Sequence, residues 1–311
     1  MKLSGNKTID AHSAAKRRLK LRNDISGWIF LLPTVVLMYI MIWRPTVLGA
    51  VWAFFKMHAY TVGEYIGLDN FERVIKHSQF IPMLKNTLMY TMWSLVIGFL
   101  PPVFLAIMIN EIVYFRNTTR ILIYLPTIIP GIVGYLMWKI IYAPDMSGML
   151  NQMLVNMGLN TYTWLNDPKF TIIGLIIQST WKGMGGTMLL YYACLQGTSV
   201  ELYEAAILDG AGMLRRAWTV TRPALSATML LNLVNQVIGI FQTLDAPLTM
   251  TGGGPNGASS TLGFQLYQYA FNSGGRATGQ AMALGLIIFV ILLVATCFYF
   301  WMNKKIEGSY Y

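Results

Sequence analysis

Charge is scarce in this chain of 311 residues: only 12% are Asp, Glu, Lys or Arg. A soluble domain carries about 25%, so a soluble body of this size is excluded. Disorder is excluded as well, because 55% of the chain is hydrophobic and disordered segments combine low hydrophobicity with high charge. Cysteine is nearly absent, and Cys194 and Cys297 lie far apart with no CxxC, so neither a disulfide framework nor a zinc site is indicated. The three histidines, His12, His58 and His77, form no HExxH and pair with no cysteine, which argues against a polytopic metalloenzyme. What is present in quantity is long apolar runs, the mark of a membrane protein.

Six segments reach the roughly 20 apolar residues that a bilayer core requires: about 27–51, 86–110, 121–142, 171–195, 223–244 and 278–303. The expected fold class is therefore all-α, a polytopic membrane protein with six transmembrane helices. The stretch 51–62 is too short to span and reads as interfacial. The basic tail 1–24 precedes an apolar run longer than a signal peptide uses, with no convincing cleavage site, so an uncleaved first span is expected. The net charge of +10 raises the question of nucleic acid, and the placement of the cations answers it. Seven lie in the tail and most others flank the apolar runs. With the N-terminus inside, 14 of the 23 Lys and Arg fall on inner segments and 6 on outer ones, which predicts cytoplasmic termini and no nucleic-acid partner.

The longest inner segment is 196–222, the loop between spans four and five. Residues 201–209 are good helix formers, with Ser199 as the expected N-cap before Glu201 and Glu204 in the first turn. Gly210 and Gly212 break that helix, and 213–220 reads as a second short helix closed by Pro223. Glu204-Ala205-Ala206, three residues, Gly210, nine residues, then Val220-Thr221-Arg222-Pro223 closely resembles the EAA loop of ABC importer permeases, with Arg222 where that family usually has Leu. Residues 67–71 (GLDNF), 86–88 (NTL), 120–130 (RILIYLPTIIP), 164–168 (WLNDP) and 251–255 (TGGGP) are similar to signatures of the carbohydrate-uptake, maltose-transporter-like branch.

That resemblance implies a type I ABC importer permease fold spanning 25–305, with short tails at 1–24 and 306–311. It implies a heterodimer with a second homologous permease, two ATP-binding subunits below and an extracytoplasmic substrate-binding protein above. Glu204, Ala205, Ala206, Asp209, Gly210 and Gly212 would form the coupling helix on the ATPase. The chain lacks GxxxxGK[ST], so ATP and Mg are expected at the partner ATPase and no cofactor on this chain.

A sugar path needs neutral hydrogen-bonding groups and aromatic faces. In span four, Gln178, Trp181, Lys182 and Gly185 share one helical face. In span five, Asn232, Gln236, Gly239 and Thr243 form a stripe with Asn235 and Gln242 beside it, and Asp245 at its end is a candidate partner for Lys182. The alternative role of these amides is interhelical hydrogen bonding. Tyr90, Trp93, Trp138 and Tyr142 read as interfacial belt or packing. A neutral stripe argues against a strongly anionic substrate such as alginate or a phosphate ester. The alternatives are a permease for glycerol phosphate or another small polar solute, and an ion-coupled secondary transporter. The latter is disfavoured by the lack of an internal repeat and of mid-span acids.

Overall fold

A computed structural model describes Lys20 and residues 24–307 apart from Tyr60 and Val113. Most of the basic tail, and residues 308–311, lie outside the described residues. Among the described residues, four helices are long and apolar enough to cross a membrane. They are α1 (Asp24–Trp52), the run Phe80–Glu111, α10 (Met213–Phe241) and the first 24 residues of α12 (Thr278–Glu307). The second run is α3 (Phe80–Ile97) followed by α4 (Leu100–Glu111). They meet at Gly98, just before Pro101 and Pro102, which cannot donate to the carbonyls of Ile97 and Gly98. This span begins six residues before the predicted start, because Phe80 and Met83 are buried against the last helix and extend the apolar face.

The predicted third span is not straight. α5 (Arg116–Ile128) and α6 (Gly131–Ile141) meet at 95°. Pro126 sits inside α5, and Ile129, directly before Pro130, is extended at ψ 130°, as a pre-proline residue prefers. Counted as one span, the bent pair raises the total from four to five. The predicted fourth span is α8 (Thr171–Gln196), 26 helical residues or about 39 Å. It is not among the apolar four, because Gln178, Ser179, Thr180, Lys182 and four glycines dilute it.

Two further expectations are corrected. Residues 213–220 do not form a separate helix closed by Pro223. They run without a break into the fifth span, through a π-helical turn at Ala217–Thr221 that relaxes the ladder just before the proline. And the structure is not purely helical: the chain after α1 carries a hairpin of β1 (Phe55–His58) and β2 (Thr61–Tyr65), the one sheet among the described residues. Its β-branched and aromatic residues favour that choice.

The bundle has two ends. At one, α2 (Asp69–Ile75), the hairpin and α7 (Met149–Asn156) gather around the starts of α3, α8 and α12. Asn70, within the GLDNF stretch, donates to the carbonyls of Ala53 and Phe55, both at 2.9 Å. The glycine-rich loop is tied down there too. Asn86 donates to the carbonyls of Gly257 (2.8 Å) and Ser260 (3.0 Å), and Thr87 Oγ1 accepts the Leu262 N–H at the start of α11 (Leu262–Tyr267). At the other end lie the close of α4, the close of α8 and α9 (Val200–Leu208). A core of Ala106, Ile109, Met188, Tyr191, Leu195 and Leu225 locks α4, α8 and α10 together near that end.

Candidate functional site

Two features stand out: a polar cavity within the bundle and the loop around α9. The cavity, ≈ 300 Å³, opens where α3 and α4, α8 and α10 cross. Tyr90, Ser94 and Gly98 line it from the second span, Ser179, Thr180, Gly183 and Thr187 from α8, and Gln236, Gly239 and Thr243 from the α10 side. No side chain in the lining carries a charge at neutral pH. Gln236 Nε2 crosses the gap to donate to the Ser94 carbonyl at 2.7 Å. Gly98 makes this approach feasible, since a Cβ there would lie 2.7 Å from that nitrogen.

Of the span-four and span-five residues singled out from sequence, Gln236, with Gly239 and Thr243, reaches this cavity. The α8 stripe faces the bent pair instead. Gln178 is fully buried and looks toward Gly134 on α6. Trp181 stacks edge-on against Trp138 at 5.6 Å, and Lys182 lies over the Tyr135 ring at 6.0 Å. Gly185 lets α5 approach so closely that a Cβ would sit 2.5 Å from the Ile123 carbonyl oxygen. Lys182 and Asp245 form no ion pair; among the described residues the four ion pairs are elsewhere. Asn232 donates to Thr228 of its own helix, Asn235 is exposed, and Gln242 caps α10 beside a second, mostly apolar cavity. Sequence reasoning missed Ser179, Thr180, Gly183 and Thr187. Their spacing of one, four and eight residues also marks one face, but small hydroxyl residues stand out less than a lysine and a tryptophan.

Tyr90 lines the cavity, while Trp138 and Tyr142 join an aromatic cluster with Trp164 and Phe170 at the end where α8 begins. Asn151 organises that end, accepting from Trp164 Nε1 at 2.8 Å. Beside it, Asp167 accepts from the Tyr162 hydroxyl and, at 2.9 Å, from the Lys169 amide, which holds its carboxyl below the ordinary value. The reciprocal bond pushes the Tyr162 hydroxyl up.

The loop at the other end gives the EAA spacing a physical meaning. Ser199 Oγ caps α9 by accepting the Glu201 N–H at 3.2 Å, and Glu201 is the only acid in the first turn. The helix stops in a Schellman arrangement: Gly210 N–H donates to Ile207 and Ala211 N–H to Ala206, both at 2.9 Å. Gly210 has φ +72°, a conformation glycine adopts freely. Ala206 therefore supplies the carbonyl that closes the motif, and Gly210 the turn that allows it. Glu204, Ala205 and Asp209 are exposed, and Leu208 and Leu214 flank the turn at 88% and 86% exposure. Gly212 starts the next helix as its N-cap. Arg222, at the unusual position of the motif, lies over the Trp218 ring at 4.4 Å.

The sequence profile described as "Binding-protein-dependent transport system inner membrane component" matches residues 103–308, more than half of the chain. The chain belongs to this family. It is a family of transport components, not of enzymes. The trehalose/maltose transport system permease protein MalF of Thermococcus litoralis is 28% identical over 286 residues, covering 91% of this chain and 95% of the relative. The arabinooligosaccharides transport system permease protein AraP of Bacillus subtilis is 26% identical, covering 96% and 95%. Among solved structures, a chain of a bacterial ABC transporter importing the acidic polysaccharide alginate superimposes with TM-score 0.80 at 26% identity, covering 94% of this chain and 99% of its own. The alginate transporter in complex with its pentasaccharide-bound periplasmic protein gives 0.81, also at 26%, covering 92% and 96%.

Proposed function

We propose that this inner membrane component is the permease subunit of an ATP-driven importer that moves a neutral sugar or oligosaccharide by alternating access. The observation that carries the sugar reading is the uncharged cavity at the crossing of the second span, α8 and α10. Its hydroxyls and amide offer donors and acceptors to a polyol, and ≈ 300 Å³ is at the lower end of small-molecule sites, about 300–1,000 Å³. The relatives named for maltose and arabinooligosaccharide transport support it. The alginate transporters share the architecture, so the fold accepts an acidic polymer as well. The absence of any cationic side chain from this cavity lining favours a neutral cargo here, and equally disfavours glycerol phosphate.

In this reading the chain crosses the bilayer six times, with the bent pair and α8 counted as spans and both termini in the cytoplasm. It pairs with a second homologous permease. Two ATPase subunits, which carry ATP and Mg, receive α9 and the flanking Leu208 and Leu214. Glu204, Ala205, Ala206, Asp209, Gly210 and Gly212 form that contact, and this chain holds no cofactor. A binding protein delivers sugar at the end where Asn86 holds the glycine-rich loop; a transporter–binding-protein complex is known for the alginate relative. Gln236 is the path residue inside the cavity. Gln178, Trp181 and Lys182 act on the path through their packing against the bent pair, and Asn232, Asn235 and Gln242 stand outside the cavity lining.

The test is co-expression of the tagged chain with its neighbouring permease, ATPase and binding protein, followed by purification and reconstitution. An ATPase should copurify, Glu204→Arg should release it, and uptake of a neutral oligosaccharide should require ATP. Uptake that survives ATP depletion and collapses with an ionophore would refute the reading.

A further inference from the structure

The loop that carries α9 packs on the bundle only in part: Ala211 at its corner is buried, while most of α9 is exposed. A cavity of ≈ 500 Å³ lies beneath it, lined by Asn110, Glu111, Gln196, Tyr203, Ile207 and Arg216 among others. Packing alone therefore gives a poor route for force from loop to bundle, and the polar contacts across the gap matter more. Tyr203 OH meets Thr221 Oγ1 at 3.2 Å, which links α9 to α10. Gln196 Nε2 meets Asn110 Oδ1 at 3.3 Å, which links the close of α8 to α4. A second side chain, Arg216 in the first turn of α10, also reaches α4, and it alone holds the corner of the loop as well. Arg216 Nη1 donates to the Ala211 carbonyl at 3.2 Å, at the corner between Gly210 and Gly212, while its Nη2 pairs with Glu111 Oε2 at 2.6 Å.

Glu111 is an unusual residue for its place. It is the last residue of α4, where the negative end of the helix dipole disfavours a carboxylate. It is also the sole acid between Glu72 and Asp145. Its pair with Arg216 is the one ion pair of the four that is largely buried, with side-chain exposures of 18% and 22%. Buried pairs resist separation, because parting them leaves an uncompensated charge. The span that ends at Glu111 contributes Tyr90, Ser94, Gly98 and Pro102 to the central cavity.

We infer that Arg216 and Glu111 are positioning residues: a strut that makes the second span move with the corner of the α9 loop, so that displacement of the loop reaches the cavity wall. The strut rests on the proposed coupling function. Neither residue touches cargo or ATP.

The experiment uses the reconstituted complex of both permeases, ATPase and binding protein. The binding protein is loaded from a mixture of malto- and arabino-oligosaccharides. ATP hydrolysis is read with and without it, together with the amount of ATPase retained. Glu111→Lys and Arg216→Glu should each lower the stimulation several-fold while basal hydrolysis and retained ATPase stay level. The double variant E111K/R216E re-forms the ion pair but not the bond to the Ala211 carbonyl, since a carboxylate cannot donate, so it should regain part of the stimulation, which a loss of fold would not allow. Should charge reversal reduce assembly, the isosteric Glu111→Gln is read in the same way. Unchanged stimulation in the single variants overturns the strut, as does a double variant no better than the single ones. A wild-type complex that retains no ATPase overturns the proposed function, and the strut with it.

Discussion

Gln236 reaches from α10 to the carbonyl of Ser94 at 2.7 Å, in space that Gly98 leaves open between them. The contact joins two spans that are 142 residues apart in sequence, at the wall of an uncharged cavity lined by hydroxyls and this amide. A side-chain amide donating to an already used helical carbonyl is a weak fastener on its own. Its position makes it more than packing.

Gln236→Ala removes that donor and one of the polar groups facing the cavity. Transport should fall while the yield of assembled complex stays near wild type, measured as uptake per unit of purified complex. Gly98→Ala acts on the same contact from the other side, because its Cβ would press the amide at 2.7 Å and the Ser94 oxygen at 2.8 Å. The two changes share one interaction, so their effects should not add. Equal loss of transport and complex yield would assign Gln236 to structure alone.

Gly210 carries the second expectation. Its φ of +72° is left-handed, and any other L residue there is strained by about 1–2 kcal/mol. No neighbouring atom lies within 4 Å of a Cβ at this site, so the strain is purely conformational. Gly210→Val should loosen the end of α9 and weaken ATPase retention. Gly210→Asn, which tolerates the left-handed region better, should weaken it less. Pull-down of the ATPase at graded salt would rank the three; an equal ranking would detach the turn from docking.

How much of this was legible in the chain depends on what kind of residue carried the signal. Apolar length located α1 and α12 well, and α10 apart from its first ten residues, since a lipid-crossing helix advertises itself through composition. The α9 cap at Ser199 and stop at Gly210 were also readable, because caps and left-handed turns select specific residues. Composition could not show that Pro126 and Pro130 would turn the third span by 95°, although both prolines were in view. Nor could it show that Pro223 would be absorbed into a continuous helix, as tertiary packing decides whether a proline breaks or is tolerated. The cavity was half legible. Gln236 announced itself as an amide in an apolar run, whereas Ser179, Thr180 and Thr187 passed as ordinary small residues. Lys182 and Trp181 drew the eye to the opposite face of the same helix.

Two glycines on α8, two residues apart, should respond in opposite directions. A Cβ at Gly185 would lie 2.5 Å from the Ile123 oxygen and 2.8 Å from Tyr124 Cα, both backbone, so α5 would have to move. Overpacking of this kind costs about 1–3 kcal/mol. At Gly183 nothing lies within 4 Å, and alanine is the better helix former by roughly 0.5–1 kcal/mol. Thermal unfolding of the purified complex should thus give a lower midpoint for Gly185→Ala and a level or higher one for Gly183→Ala. The reverse order would contradict the close approach of α5 and α8.

Asp167 sets a pH dependence at the opposite end of the molecule. The Tyr162 hydroxyl and then the Lys169 amide stabilise its charged form, so its carboxyl titrates below the ordinary value of about 3.9. A group depressed on folding stabilises the fold above its unfolded pKa, and this contribution disappears as pH falls through the folded one. The turn joining Tyr162, Trp164 and the start of α8 should therefore be fully formed at neutral pH and loosen only in acid. Amide hydrogen exchange across residues 162–171, corrected for intrinsic rate, should rise below about pH 4 in the wild type. In Asp167→Asn the Lys169 amide still has a carbonyl acceptor but no charge to lose, so protection should be lower at neutral pH and flat with acidification. A variant that retained the acid step would place the titrating group elsewhere in the loop, with Asp145, which Ser147 also holds below its ordinary value, the next to replace.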